Sequence, residues 1–170
     1  MFAFHPLFQY NKDMRKYEEG LGNSSRLQQL LLQRKMPLSN EGLQRALEEL
    51  TVFMTSDVLL FCAVYPKKDP MENCGDVDKA DMMLGSDDEK YFPVFSDISR
   101  LKEFKPVLQK GEEIYVFDKK DLLQFLQMNK YLAAVVLNPQ EDDLLLHRLL
   151  LQNLIQVEAD NTSKMEYMSR

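Results

Sequence analysis

Apolar and polar positions repeat along this chain with two different periods, and the periods mark its elements. Leu43, Ala46, Leu47 and Leu50 fall at i, i+3, i+4 and i+7, one face of a helix. Gln44, Arg45, Glu48 and Glu49 fill the other face, and Ser39 stands where its hydroxyl can accept an amide of the first turn. A shorter helix is expected over 26–36, capped by Ser24 or Ser25, with Leu27, Leu30 and Leu31 as its stripe and Pro37 as its stop. The run 58–64 (VLLFCAV) abandons that period. Uninterrupted apolar residues describe a strand buried on both faces, in the middle of a sheet, and Pro66 ends it. The run 131–137 (YLAAVVL) reads the same way and stops at Asn138-Pro139.

Shorter patterns lie between these. Segments 80–84 and 91–95 flank a polar, turn-rich stretch, 85–90, which reads as a hairpin. Pro93 cannot donate to a ladder, so 91–95 is expected as an edge strand or one with a bulge. Residues 113–117 form another short strand. Ser96 is placed as the cap of a helix over 97–105 that turns Ile98, Leu101 and Phe104 inward, with Pro106 just past its end. Asp118 heads a helix over 119–129, Asp121 completes a capping box, and Leu122, Phe125 and Leu126 form the buried stripe. The run 143–157 is apolar nearly all round. One long buried helix fits it, and so does a short strand followed by a helix from about Arg148.

The order of elements implies an α+β fold: a mixed, mostly antiparallel sheet of about five strands with helices packed against it. A single domain is expected over 25–157. It is preceded by an arm and link, 1–24, whose aromatic patch (Phe2, Phe4, Leu7, Phe8) can dock, and followed by a polar, frayed tail, 158–170. At 170 residues the chain has little room for a second domain.

Charge changes this picture in one place. The formal net charge is −6, and residues 69–90 account for all of it, with eight acidic residues against Lys79 and Lys90. The rest of the chain is balanced, so a basic nucleic-acid face is not expected. The two cysteines, Cys62 in an apolar run and Cys74 in a polar one, are too few for a disulfide framework and suit a reducing cytosol. No run reaches the length of a membrane span, and the first ten residues carry no signal-peptide pattern. A cytoplasmic protein follows.

Catalytic chemistry is thinly represented. Of two histidines, His5 lies in the arm and His147 inside a leucine-rich run, where a packed histidine with one hydrogen bond is the plain reading. Neither G-x-S-x-G nor a phosphate-cradling glycine loop occurs. Asp76, Asp78 and Asp81 hint at a calcium loop. Counted from Asp76, however, positions 5, 6 and 12 are Ala80, Asp81 and Asp87, which fail the hand-type template, so a solvated loop is expected. Cys62 and Cys74 lack metal-ligand spacing, and no cofactor is expected. Most of the ten methionines read as core filling. Tyr91 and Phe92, on the supposed edge, either pack inward or offer a site for a partner strand or a second copy of the chain.

Three stretches together resemble the SseB-like N-terminal domain of the enhanced serine sensitivity family, which is bacterial. Tyr91-Phe92-Pro93-Val94-Phe95-Ser96-Asp97, with Leu101 and Phe104 following, is similar to its "lPvFTs…L..f" core, and 135–139 (VVLNP) is similar to its "vvlNP" segment. The apolar strand 58–64 falls where the family has its first strand, so the likeness spans roughly 40–157. It implies an α+β domain of undefined biochemical role, without established catalytic residues. The chain stops at Arg170 and lacks the second domain of longer members, so nothing of that domain's role carries over. The expectation is a non-enzymatic interaction or adaptor domain with a protein partner, acting through Tyr91, Phe92, Phe2, Phe4, Asp97 and Asn138, with self-association open. A small-molecule sensor or an enzyme of unread class, using Asn138, Asp97 and His147, is the second reading. An immunity protein, suggested by family context, is the third.

Overall fold

The structure, a computed structural model, describes residues 25–56, 60–66, 83–84 and 89–168. The aromatic arm with Phe2 and Phe4, the acidic connection with the calcium-loop count, Cys74 and the hairpin tip lie outside the described residues. The elements are α1 (Ser25–Gln33), α2 (Asn40–Ser56), β1 (Phe61–Pro66), β2 (Met83–Leu84), β3 (Lys90–Val94), α3 (Ile98–Phe104), β4 (Glu112–Phe117), α4 (Lys119–Met128), β5 (Leu132–Leu137), β6 (Leu144–Leu146) and α5 (Arg148–Met168). This is the expected α+β class.

β1 and β4 pair antiparallel from Phe61↔Phe117 to Pro66↔Glu112. The other strands run in the order β2-β3-β5-β6, with β3 and β5 parallel and the remaining pairs antiparallel. A bridge joins the two pieces: Cys62 and Phe95 exchange backbone hydrogen bonds of 2.9 and 2.8 Å. β1 is therefore flanked by β4 and the end of β3, and residues 61–65 are all buried, as an unbroken apolar run requires.

β3 is not an edge strand. β5 covers one side of it, and β2 and β1 share the other. Pro93 is tolerated there for a geometric reason. The amide and carbonyl of a strand residue point to one side and those of the next residue to the other. Phe95 bonds toward β1, while the Val94 carbonyl accepts from Asn138 after β5. Pro93 thus faces the β1/β2 side, between the pairing of Tyr91 with Met83 and the bridge at Phe95, where its missing N–H costs no bond to β5. The bulge lies elsewhere, between Lys90 and Tyr91. Phe92 is wholly buried, its ring 4.7 Å from that of Phe125 and 6.1 and 6.3 Å from those of Tyr65 and Phe117. Of the two readings offered for this aromatic pair, inward packing holds for Phe92.

One face of the sheet carries the main core, where Phe61, Tyr65, Phe92, Phe117, Val135 and Leu137 meet leucines of α1, α2, α4 and α5. On the other face α3 covers Cys62, Val64 and Phe95 with Ile98, Leu101 and Phe104. The Asp118–Asp121 capping box is present as expected. α1 ends at Gln33, short of the expected 36, and two helices differ more deeply from expectation. α2 runs on to Ser56 and buries Ala46, Leu50 and Met54, which leaves Leu43 and Leu47 about 40% exposed on its flank. The longer helix can reach the core with Met54, and this rotates the buried stripe. α5 follows the short strand β6, the second of the two patterns weighed, and stays helical to Met168 instead of fraying at 158. Glu158 supplies one reason. It pairs at 3.1 Å with buried Lys119, whose Nζ also donates to the Met54 carbonyl at 2.6 Å, tying α2, α4 and α5 together.

Candidate functional site

The parallel strands β3 and β5 end side by side at Val94 and Leu137, and the chain continues from each into a polar turn. Crevices beyond the carboxyl ends of parallel strands are recurrent ligand sites. Here the two turns are bonded to each other. The Asn138 amide donates to the Val94 carbonyl at 2.8 Å, and its side chain takes both roles toward Ser96. Oδ1 accepts the Ser96 amide at 3.0 Å; Nδ2 donates to Ser96 Oγ at 3.0 Å and to Asp142 Oδ2 at 2.7 Å. The Asn138 carbonyl accepts the amides of Glu141, Asp142 and Asp143. Asn138, Gln140 and Asp143 hold φ values of 51°, 70° and 47°, the left-handed region that, among residues with a side chain, asparagine and aspartate enter most readily.

Ser96 is buried in this network and does not cap α3. Asp97 does, accepting the Arg100 amide at 3.0 Å. The shift by one residue frees the Ser96 side chain for Asn138. Asp97 also accepts from Gln28 Nε2 at 3.0 Å and from Arg100 Nη1 at 2.5 Å. Arg100 pairs in turn with Glu141 at 3.2 Å. Burial works against the Arg100 charge. The hydrogen bond to Asp97 and the charges of Asp97, Glu141 and Asp142 outweigh it and hold the guanidinium pKa above its usual value. From α1 and its following turn, Lys35 pairs with the buried Asp142 carboxylate at 2.9 Å, and Arg34 donates to the Asp142 carbonyl. A cleft of ≈ 300 Å³ opens beside these groups, lined among others by Gln28, Leu31, Lys35, Arg100 and Glu141.

Asp97 and Asn138 are thus brought together, as the second reading required. His147 is not with them. It lies after β6, whose Leu146 pairs with Val135, while Asn138 follows the far end of β5. It is exposed, not packed, and its Nδ1 accepts the Leu150 amide at 3.3 Å in the first turn of α5. Tyr91 is half-buried, its hydroxyl 3.5 Å from Glu89 Oε2. Cys62 is buried and donates to the Phe95 carbonyl at 3.6 Å. Burial, with the nearby Asp97 charge adding to it, pushes its thiol pKa up to about 12, against a smaller opposing effect of its backbone hydrogen bond. Among the described residues no three His, Cys, Asp or Glu side chains gather as a metal site. No helix among them is long and apolar enough to cross a membrane.

Sequence reasoning missed the partners Ser96, Asp142, Lys35 and Arg100. Two carried a local signal: Arg100 stands three residues after Asp97, and Asp142 four after Asn138. Lys35 carried none, since only the fold brings α1 to this turn. Comparison with family models, with curated proteins and with solved structures finds no match for the chain.

Proposed function

We propose that the chain is a non-enzymatic protein-interaction or adaptor domain of the SseB-like kind, working in a reducing cytosol. One contrast carries this reading. The chemistry-bearing groups Asp97, Asn138 and Cys62 are spent on internal hydrogen bonds and His147 stands apart from them, whereas large apolar side chains stand in solvent around β6 and the start of α5. Leu145 is 41% exposed and Leu149 62%. A small strand at the end of a sheet, with exposed leucines, suits docking of another chain. Affinity capture with the wild-type and Leu149→Glu chains, read by quantitative mass spectrometry, tests it. The expected outcome is a defined partner held by the first and lost from the second. Identical captures, together with a metabolite that the chain turns over, would overturn the proposal.

A small-molecule sensor is the second reading, favoured by the cleft beside Lys35, Arg100 and Glu141. It requires a metabolite that raises the melting temperature of the wild type and not of Arg100→Gln.

A further inference from the structure

We propose that the cleft at the amino ends of β3 and β5 receives an acidic, extended peptide segment of the partner. This rests on the interaction reading above and names the chemistry of what is bound. The cleft measures ≈ 660 Å³, and the described residues that wall it include Lys90, Lys130, Tyr131 and Arg148, with Glu89 the one acid among them. Arg148 and Lys130 bring positive charge to this cleft in a chain whose net charge is negative.

Arg148 is the organising group. Its Nη1 donates to the Leu132 carbonyl at 2.9 Å, and its Nη2 to the carbonyls of Leu126 and Asn129 at 2.5 and 3.2 Å. These bonds fix the plane of a half-buried guanidinium. They use three of its five N–H groups and leave two for a ligand. Neither Arg148 nor Lys130 has a carboxylate partner among the described residues. A guanidinium held in place and lacking an anion is suited to a carboxylate, which its fork geometry matches.

The size and lining of the cleft favour a chain over a lone anion. The space far exceeds one small oxyanion, and its wall includes the Tyr131 ring, 48% exposed, with Leu132 and Ala133 beside it. Leu149, next in sequence to Arg148, extends apolar surface outward. Alternating acidic and apolar side chains on an extended peptide would satisfy the cations and the apolar wall together.

The test titrates a labelled synthetic peptide alternating Glu and Val, its Gln-for-Glu counterpart and inorganic phosphate onto the full chain. Anisotropy and the Arg148 Nε–H resonance are read. The Glu peptide should bind at least about tenfold tighter than the Gln peptide, weaken as salt rises, and lose about tenfold with Lys130→Glu. The Arg148 resonance should move on binding. Lys130 is exposed, so its variant should melt as the wild type does. Equal binding of the two peptides would overturn the acidic specificity and leave the interaction reading standing. Phosphate binding as tightly as the peptide would make this an anion site, and self-association of the chain through the cleft would make a second copy the occupant; either result, or no binding at all, overturns the proposal. Failure of the interaction reading itself would show separately, in the Leu149→Glu capture.

Discussion

At the carboxyl ends of β3 and β5, cations and carboxylates alternate: Lys35 meets Asp142, and Arg100 meets both Asp97 and Glu141. At the amino ends of the same two strands, Arg148 donates only to carbonyls. Both ends anchor their turns through buried polar bonds. The first is closed on itself, while the second has charge left to offer. The comparison teaches that a dense polar cluster is not by itself the best place to seek a partner. A satisfied network holds the fold, and a fixed but unneutralised group is the one that can still bind.

The largest expected effect comes from opening the closed end. Asn138→Ala removes the partners of Ser96 and Asp142 and puts a Cβ residue without asparagine's local hydrogen bonding at φ 51°. It should cost about 3 kcal/mol in urea unfolding. Asn138→Gly should recover about 1 kcal/mol of that loss, since the backbone strain is removed and the lost hydrogen bonds are not. If the glycine variant were no better than alanine, strain at this position would be negligible. At the amino end, Arg148→Met takes a donor from three carbonyls, of which that of Asn129 keeps the Leu132 amide, and should cost about 2 kcal/mol. If it proved as damaging as Asn138→Ala, the two ends would be equally structural and the contrast would fail.

Cys62 separates burial from charge. Its folded pKa of about 12 lies above the ordinary 9.0, so the native state holds the proton more tightly. Its contribution to stability is complete below pH 9, and falls as pH rises through the window up to 12. Unfolding followed across that range should show a steeper alkaline loss in the wild type than in Cys62→Ala. Mass-spectrometric mapping after brief alkylation at pH 8 should find Cys62 unmodified in the folded chain. The smallest effect is expected from Lys130→Gln. Its melting temperature should match the wild type, although the charge offered at the cleft changes. A marked loss of stability would reveal a structural bond at Lys130.

Local patterns made much of the fold legible. The capping box Asp118–Asp121 and the apolar runs of β1 and β5 are dictated by near neighbours in sequence, and the structure contains them. The failures share a cause. Pro93 pointed to an edge because sequence cannot tell which side of a strand a missing N–H faces, nor that two strands divide that side between them. Four leucine and alanine positions mark a stripe on α2, and the core uses a neighbouring face that takes in Met54. Asp97 and Asn138 stand out in the sequence, but their convergence depends on the parallel pairing of β3 with β5, which no period encodes. In the sequence Arg148 reads only as a helix start. An arginine inside LLLHRLLL is itself a sign that something buried needs a donor.

The pairing of β1 with β4 has a consequence for the chain as it is being made. Phe61 finds its ladder partner only when Phe117 has been added, and the Cys62 bridge must wait for Phe95. During synthesis a strand of sequence FCAVYP is therefore finished well before anything can cover its edges. The next segment to emerge is the acid-rich stretch 69–90, which holds the chain's entire net charge. Like charges oppose the close approach of such segments, and an uncovered apolar strand is the element that most needs its neighbours kept away.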